Sequence, residues 1–134
     1  MMEISDMETI RTDELMLGNW VIVDDQPIQV SSITNRKIGY YLDPETPQMF
    51  YAWDCELKPI PMSCDLLRYI GFKQDSSKLF VHPDTGFEVF FTKGRYLASI
   101  NSVEYIISEP ITYLHQLQNL YYSLERKRLK IELS

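Results

Sequence analysis

Leu79-Phe80-Val81-His82-Pro83-Asp84-Thr85-Gly86-Phe87-Glu88-Val89-Phe90-Phe91-Thr92-Lys93-Gly94-Arg95-Tyr96-Leu97-Ala98-Ser99-Ile100 is the stretch on which the fold class turns. Short runs of β-branched and aromatic residues alternate here with turn-forming clusters, the pattern of successive hairpins. Strands are expected over 79–82, 87–92 and 95–100, joined by the turns Pro83-Asp84-Thr85-Gly86 and Lys93-Gly94. Asn101-Ser102 then turns the chain into a further strand over 103–107. Each connection is too short for a parallel crossover, so the strands form an antiparallel meander. In Phe90-Phe91 successive side chains point to opposite faces, so one Phe entering the core sends its neighbour outward. That outer face needs a cover, either the N-terminal half of the chain or a second copy in a C2 homodimer.

Beyond the meander the pattern turns helical. Ser108-Glu109-Pro110 offers an N-cap and a proline in the first turn, and Leu114, Leu117, Leu120, Tyr121 and Leu124 recur at helical spacing through about residue 125. Arg126-Lys127-Arg128 places positive charge where the helix dipole favours it. Leu129-Lys130-Ile131-Glu132-Leu133 alternates strictly and reads as a last strand. Strands succeeded by a helix, not alternating with it, give an α+β fold.

Upstream, Leu17-Gly18-Asn19-Trp20-Val21 leads a strand that Asp24-Asp25-Gln26-Pro27 closes. Ile28-Gln29-Val30-Ser31-Ser32-Ile33 and residues 38–42 read as strands around an Asn35-Arg36-Lys37 tip, and 51–57 as another after the loop Asp43-Pro44-Glu45-Thr46-Pro47. The expectation is a small barrel-like lobe of SH3 size over 15–62, preceded by a flexible segment over 1–14. Lys58 to Met62 is the seam, and residues 63–134 hold a short helix, capped by Ser63 and ended by Gly71, the meander and the long helix. The two parts are expected to pack as one unit.

The 134 residues are 45% hydrophobic and 24% charged, a composition that argues against a disordered chain. Residues 1–62 carry four basic against eleven acidic side chains, a balance of −7, and residues 63–134 nine against eight. An acidic chain lacks the cationic surplus that sequence-independent nucleic-acid binding needs. No signal peptide opens it and no apolar run approaches a membrane span, so a cytoplasmic protein with free thiols is expected. Cys55 and Cys64 read as small buried hydrophobes.

The chemistry-bearing inventory is thin. Cys55, Cys64, His82 and His115 match no zinc spacing, and the five glycines form no phosphate cradle, so neither metal nor cofactor is expected. No catalytic residue is assigned; the weakest reading is a small enzyme using Cys64 or His115. His115, Gln118, Asn119 and Tyr122 share one stripe of the last helix, beside the leucine stripe. It is either a polar face that ties the helix to its surroundings or a neutral patch that meets a partner or ligand. Trp53 packs in the core or forms an aromatic wall facing a ligand.

Tyr113-Leu114-His115-Gln116-Leu117-Gln118-Asn119-Leu120-Tyr121 resembles the YVHQLQNLYFAL signature of a family of small proteins encoded by gut Bacteroidales, their phages and other mobile elements. Residues 13–21 are similar to that family's ELRIGNYV opening, with Met16 where Arg is expected. Residues 58–72 are similar to its PIPLTEEWLLKFGF centre, and the basic tail stands where the family often reads TGEELEI. The resemblance implies a mobile-element setting and points to no particular activity or mechanism. The expected function is a non-enzymatic binding or adaptor protein. The alternative is an anti-defence protein that sequesters a small nucleotide signal or inhibits a host defence protein.

Overall fold

The computed structural model describes residues 10–43, 45–100 and 105–133 and shows an α+β protein with ten strands and two helices among them. Residues up to Ile60, together with Leu133, form one compact unit, and Pro61–Glu132 form a second.

In the first unit β1 (Trp20–Val23) and β2 (Gln26–Gln29) make a hairpin, and β3 (Ser32–Thr34), β4 (Lys37–Tyr41) and β5 (Met49–Trp53) make a three-stranded antiparallel sheet. The two sheets stay separate, so the expected barrel does not close. The reason lies in β1, whose outer edge is held by the chain after β5 and not by another strand. Ile22 N–H donates to the Lys58 carbonyl at 2.8 Å and Lys58 N–H donates back at 3.0 Å. Asp24 and Asp25 both take positive φ, the backbone of a type I′ hairpin turn, at 50° and 64°. Because the backbone groups of Ile22 point away toward Lys58, its cross-strand neighbour Pro27 needs no N–H, and proline is tolerated inside β2.

The core of this unit is Ile10, Leu15, Val21, Val23, Ile28, Val30, Ile38, Tyr40, Ala52 and Leu57, with Ile33 and Phe50 packed on it. Within the opening expected to be flexible, Ile10 is buried and Thr12–Glu14 is a 3-10 turn. The opening's first nine residues lie outside the described part, as do Pro44 and the expected Asn101-Ser102 turn. The strand expected over 51–57 ends at Trp53, because Glu56 Oε1 accepts the Trp53 N–H at 2.8 Å and folds Asp54–Glu56 into a 3-10 turn.

In the second unit α1 (Cys64–Tyr69) starts at Ser63, whose Oγ accepts from Leu66 N–H at 3.0 Å, and stops before Gly71 at φ 104°. The strands β6 (Lys73–Gln74), β7 (Leu79–Val81), β8 (Glu88–Thr92), β9 (Arg95–Ile100) and β10 (Tyr105–Ile106) form an antiparallel meander in chain order. Phe90 and Phe91 are both half-buried, Phe91 against Tyr96 at 4.7 Å, and Val89 takes the core position instead.

The helix α2 (Leu114–Glu125) begins later than Ser108-Glu109-Pro110 suggests. The chain before it is already bonded to β9. Ser108 Oγ accepts from Ala98 N–H, Ile107 N–H donates to the Ala98 carbonyl, and Ile111 N–H donates to the Tyr96 carbonyl. Those donors are withheld from a helix. Gln116 Oε1 instead accepts from Thr112 and Tyr113 N–H and opens α2 there. Leu114, Leu117 and Tyr121 are buried, but Leu124 is exposed, so the apolar stripe is shorter than its spacing suggests. Arg126 ends the helix at φ 59°. Residues 129–133 form no strand; Leu129 is buried alone, and the alternation there reflects single anchors without strand pairing.

Gly39 sits mid-strand between Ser32 and Tyr51, and a Cβ there would collide with Met49 Sδ and Ser32 Oγ. Gly39→Ala is therefore expected to cost about 1–3 kcal/mol in chemical denaturation, as overpacking does. Ser63→Ala should cost about 1 kcal/mol by loss of the cap. An unchanged denaturation midpoint in either variant would contradict the contact it tests.

Candidate functional site

Strand alternation sorts β4 and β5 into two faces. Ile38, Tyr40, Phe50 and Ala52 turn inward, while Lys37, Gly39, Tyr41, Met49, Tyr51 and Trp53 share the other side. The register sets Lys37 opposite Trp53 and Gly39 opposite Tyr51. Tyr51 is 58% exposed, Trp53 55% and Tyr41 43%. The Lys37 amine lies 4.9 Å from the Tyr51 ring centroid and 5.7 Å from that of Trp53, cation–π contacts to both rings. Gly39 is the low point of the face, because the Met49 and Ser32 side chains fill the space above it. Beyond Trp53, Arg36 Nε reaches Asp54 at 3.6 Å.

A second concavity in the same unit is a groove of about 680 Å³ lined by Trp20, residues 26–29, Ser31, Tyr41, Leu42 and Leu133. Among these described residues none is Lys or Arg, so nothing in the lining neutralises a phosphate.

The residues singled out from the sequence are dispersed. Trp53 stands on the exposed face just described. On α2, His115 and Gln118 are buried, Asn119 is half-buried and Tyr122 is 40% exposed, so their common stripe runs from the core to the surface. His115 stacks on Tyr113 with ring centroids 6.0 Å apart. Tyr51 and Lys37 were not singled out. The signal that could have found them is the parity of β4 and β5, once Tyr40 and Ala52 are assigned inward.

Neither cysteine is a buried hydrophobe. Cys55 is exposed on the 3-10 turn after β5, and Cys64 is half-buried as the first residue of α1. Cys64 Sγ lies 3.6 Å from the Tyr96 hydroxyl. Burial first, and then the hydrogen bond with Cys64, push that hydroxyl up to about 12, so Tyr96 stays protonated near neutral pH. Among the described residues no group of three or more His, Cys, Asp and Glu side chains could hold a metal ion. None of their helices is long and apolar enough to cross a membrane.

His82 is buried among aromatic rings, 5.2 Å from Phe72 and 5.3 Å from Tyr121, and its Nδ1 accepts the Asp84 N–H at 3.3 Å. Comparison with family models, curated proteins and solved structures gave no match for the chain.

Burial lowers the His82 pKa from its ordinary 6.5; Asp84 and Glu125 oppose that shift and Lys127 adds to it. Well above 6.5 the imidazole is neutral folded or unfolded, and its titration contributes no pH dependence. As pH falls below 6.5 the unfolded chain takes up the proton first, so stability declines toward the depressed folded value. Denaturant midpoints measured from pH 8 to pH 5.5 should therefore fall with pH, and His82→Gln should fall less steeply. Equal slopes would rule out His82 as a source of the decline.

Proposed function

We propose that the chain is a non-enzymatic binding protein, an adaptor of the phage or mobile-element kind its motifs resemble, and that it holds a protein partner on the aromatic face of β4 and β5. The observation that carries this reading is the exposed pair Tyr51 and Trp53 with Lys37 set against both rings. Leaving two large rings in water forgoes about 25 cal/mol for each Å² that could be buried. Tyrosine and tryptophan are also the side chains that most often dominate interface energies. The Lys37 contact, worth about 0.5–1 kcal/mol at an exposed site, restrains the rings before any partner arrives. Less side-chain freedom is then lost on association.

The partner's charge is set by the surroundings. Asp43, Glu45 and Glu56 are exposed in the turns at the ends of β4 and β5. Residues 1–62 sum to −7, which favours a partner with a basic surface and weighs against nucleic acid. The described residues that line the groove include no Lys or Arg, which weighs against sequestration of a nucleotide signal there.

The test uses a photo-crosslinking amino acid at position 51 to trap the partner in the producing cell, and then binding of that purified partner to the intact chain. Trp53→Ala is expected to weaken binding by about 2 kcal/mol or more, roughly thirtyfold, with an unchanged far-UV circular dichroism spectrum. Partner binding should also shift Trp53 emission to the blue. Undiminished affinity of a Tyr51→Ala, Trp53→Ala double variant would overturn the assignment of this face.

A further inference from the structure

The groove beside β2 is a different surface, and its walls describe a different kind of contact. Gln26, Pro27, Ile28 and Gln29 all line it. A cavity against one face of a strand meets every second residue, so four consecutive residues mean that the groove runs along the strand's edge. In the described residues β2 is hydrogen-bonded to β1 and to no other strand.

The hydrogen-bond phase of that hairpin is fixed. Val30 N–H donates to the Asn19 carbonyl at 2.8 Å, and Ile22 directs both backbone groups to Lys58. Antiparallel pairs alternate, so Val21–Ile28 and Val23–Gln26 are the bonded pairs, and Trp20–Gln29 and Ile22–Pro27 are not. The N–H and C=O of Gln29 and the C=O of Pro27 therefore point away from β1, along the groove. That is one donor and two acceptors, spaced as the edge of a ladder. The other described residues that line the groove are Trp20, Ser31, Tyr41, Leu42 and Leu133, none of them charged. The exposed carboxylates Asp24 and Asp25 stand at the hairpin tip, one residue before β2 begins.

From this we infer that the groove binds an extended segment of a partner protein as a third strand on β2. The segment pairs its backbone with Gln29 and Pro27, lays apolar side chains against Tyr41 and Leu42, and sets a lysine or arginine near Asp24-Asp25. The described lining residues carry no charge, which selects uncharged side chains at the centre, and the acidic tip selects a basic end. A second copy of this chain is the poorer occupant, because pairing two β2 edges would bring together two N-terminal halves of −7 each. The inference does not depend on Trp53, and either surface can fail alone; of the residues named, Tyr41 belongs to both.

The probe is a displayed library of random dodecapeptides, selected on the intact chain with counter-selection on its Gln29→Pro variant, which lacks the edge donor. Enriched peptides should alternate β-branched and polar residues and carry a terminal lysine or arginine. The best of them should shift the amide resonances of Gln26, Ile28 and Gln29 on titration. It should lose at least about tenfold in affinity when N-methylated at alternate backbone amides, a change that removes ladder bonds and keeps the side chains. That peptide experiment stands even if Gln29→Pro fails to fold. Failure to enrich any peptide, equal binding of the N-methylated form, or shifts confined to Tyr51 and Trp53 would each overturn the inference. So would concentration-dependent dimerisation of the unliganded chain that perturbs the same β2 amides, since a second copy would then own the edge.

Discussion

The register of β4 on β5 decides what the first unit buries and what it shows. With Ile38 opposite Ala52 and Tyr40 opposite Phe50, one side of the pair closes the core. The intervening residues put Lys37, Tyr51 and Trp53 outside. A slip of β5 by one residue would send Tyr51 and Trp53 inward and expose Phe50 and Ala52. Gly39 pins the arrangement, because only a residue without Cβ fits beneath Met49 and Ser32 at that point. The hydrophobic core and the aromatic face are thus two readings of one pairing, and neither could be altered without the other.

The same economy appears in β1. Its inner edge pairs with β2 and its outer edge is taken by Lys58, so the chain leaving β5 returns to the first strand it made. That return ties the ends of the unit together without closing a barrel. It also fixes the hydrogen-bond phase of the hairpin, which places Pro27 where a missing N–H is harmless and turns Gln29 outward. The acceptability of proline and the polarity of the β2 edge both stem from a single pair of hydrogen bonds to Lys58.

Much of the fold was legible because it rests on local chemistry. The meander is dictated by its turn residues, and Lys93-Gly94 adopts the positive φ that its turn demands. The Ser63 cap and the glycine stop at residue 71 are local as well. The features that escaped were set by partners distant in sequence. Ser108-Glu109-Pro110 has the composition of a helix start, but its Ser108 oxygen and the backbone donors on either side of it, Ile107 and Ile111, are spent on β9. Leu129 to Leu133 alternates like a strand, yet no described strand pairs with it. The stripe His115, Gln118, Asn119 and Tyr122 was geometrically right and said nothing of burial, since the width of a helix's buried face depends on what lies over it. Trp53 was visible as a residue type. Its company, Tyr51 and Lys37, required the β4–β5 register, which no local pattern contains.

The distribution of charge gives the aromatic face its meaning. On the outward side of β4 and β5 the one ionised group is Lys37, and its amine is set against the rings of Tyr51 and Trp53. The acidic side chains gather in the turns at the strand ends, with Asp43 and Glu45 after β4 and Asp54 and Glu56 after β5. An aromatic centre within a charged rim is the arrangement that the proposed interface requires. In the proposed interface the two rings would keep the Lys37 ammonium partnered as the centre loses water, while a wet rim would act on approach rate and partner choice. A solvated face that served only to keep the chain soluble would have the reverse arrangement, with charge spread across the strands and the large rings turned inward.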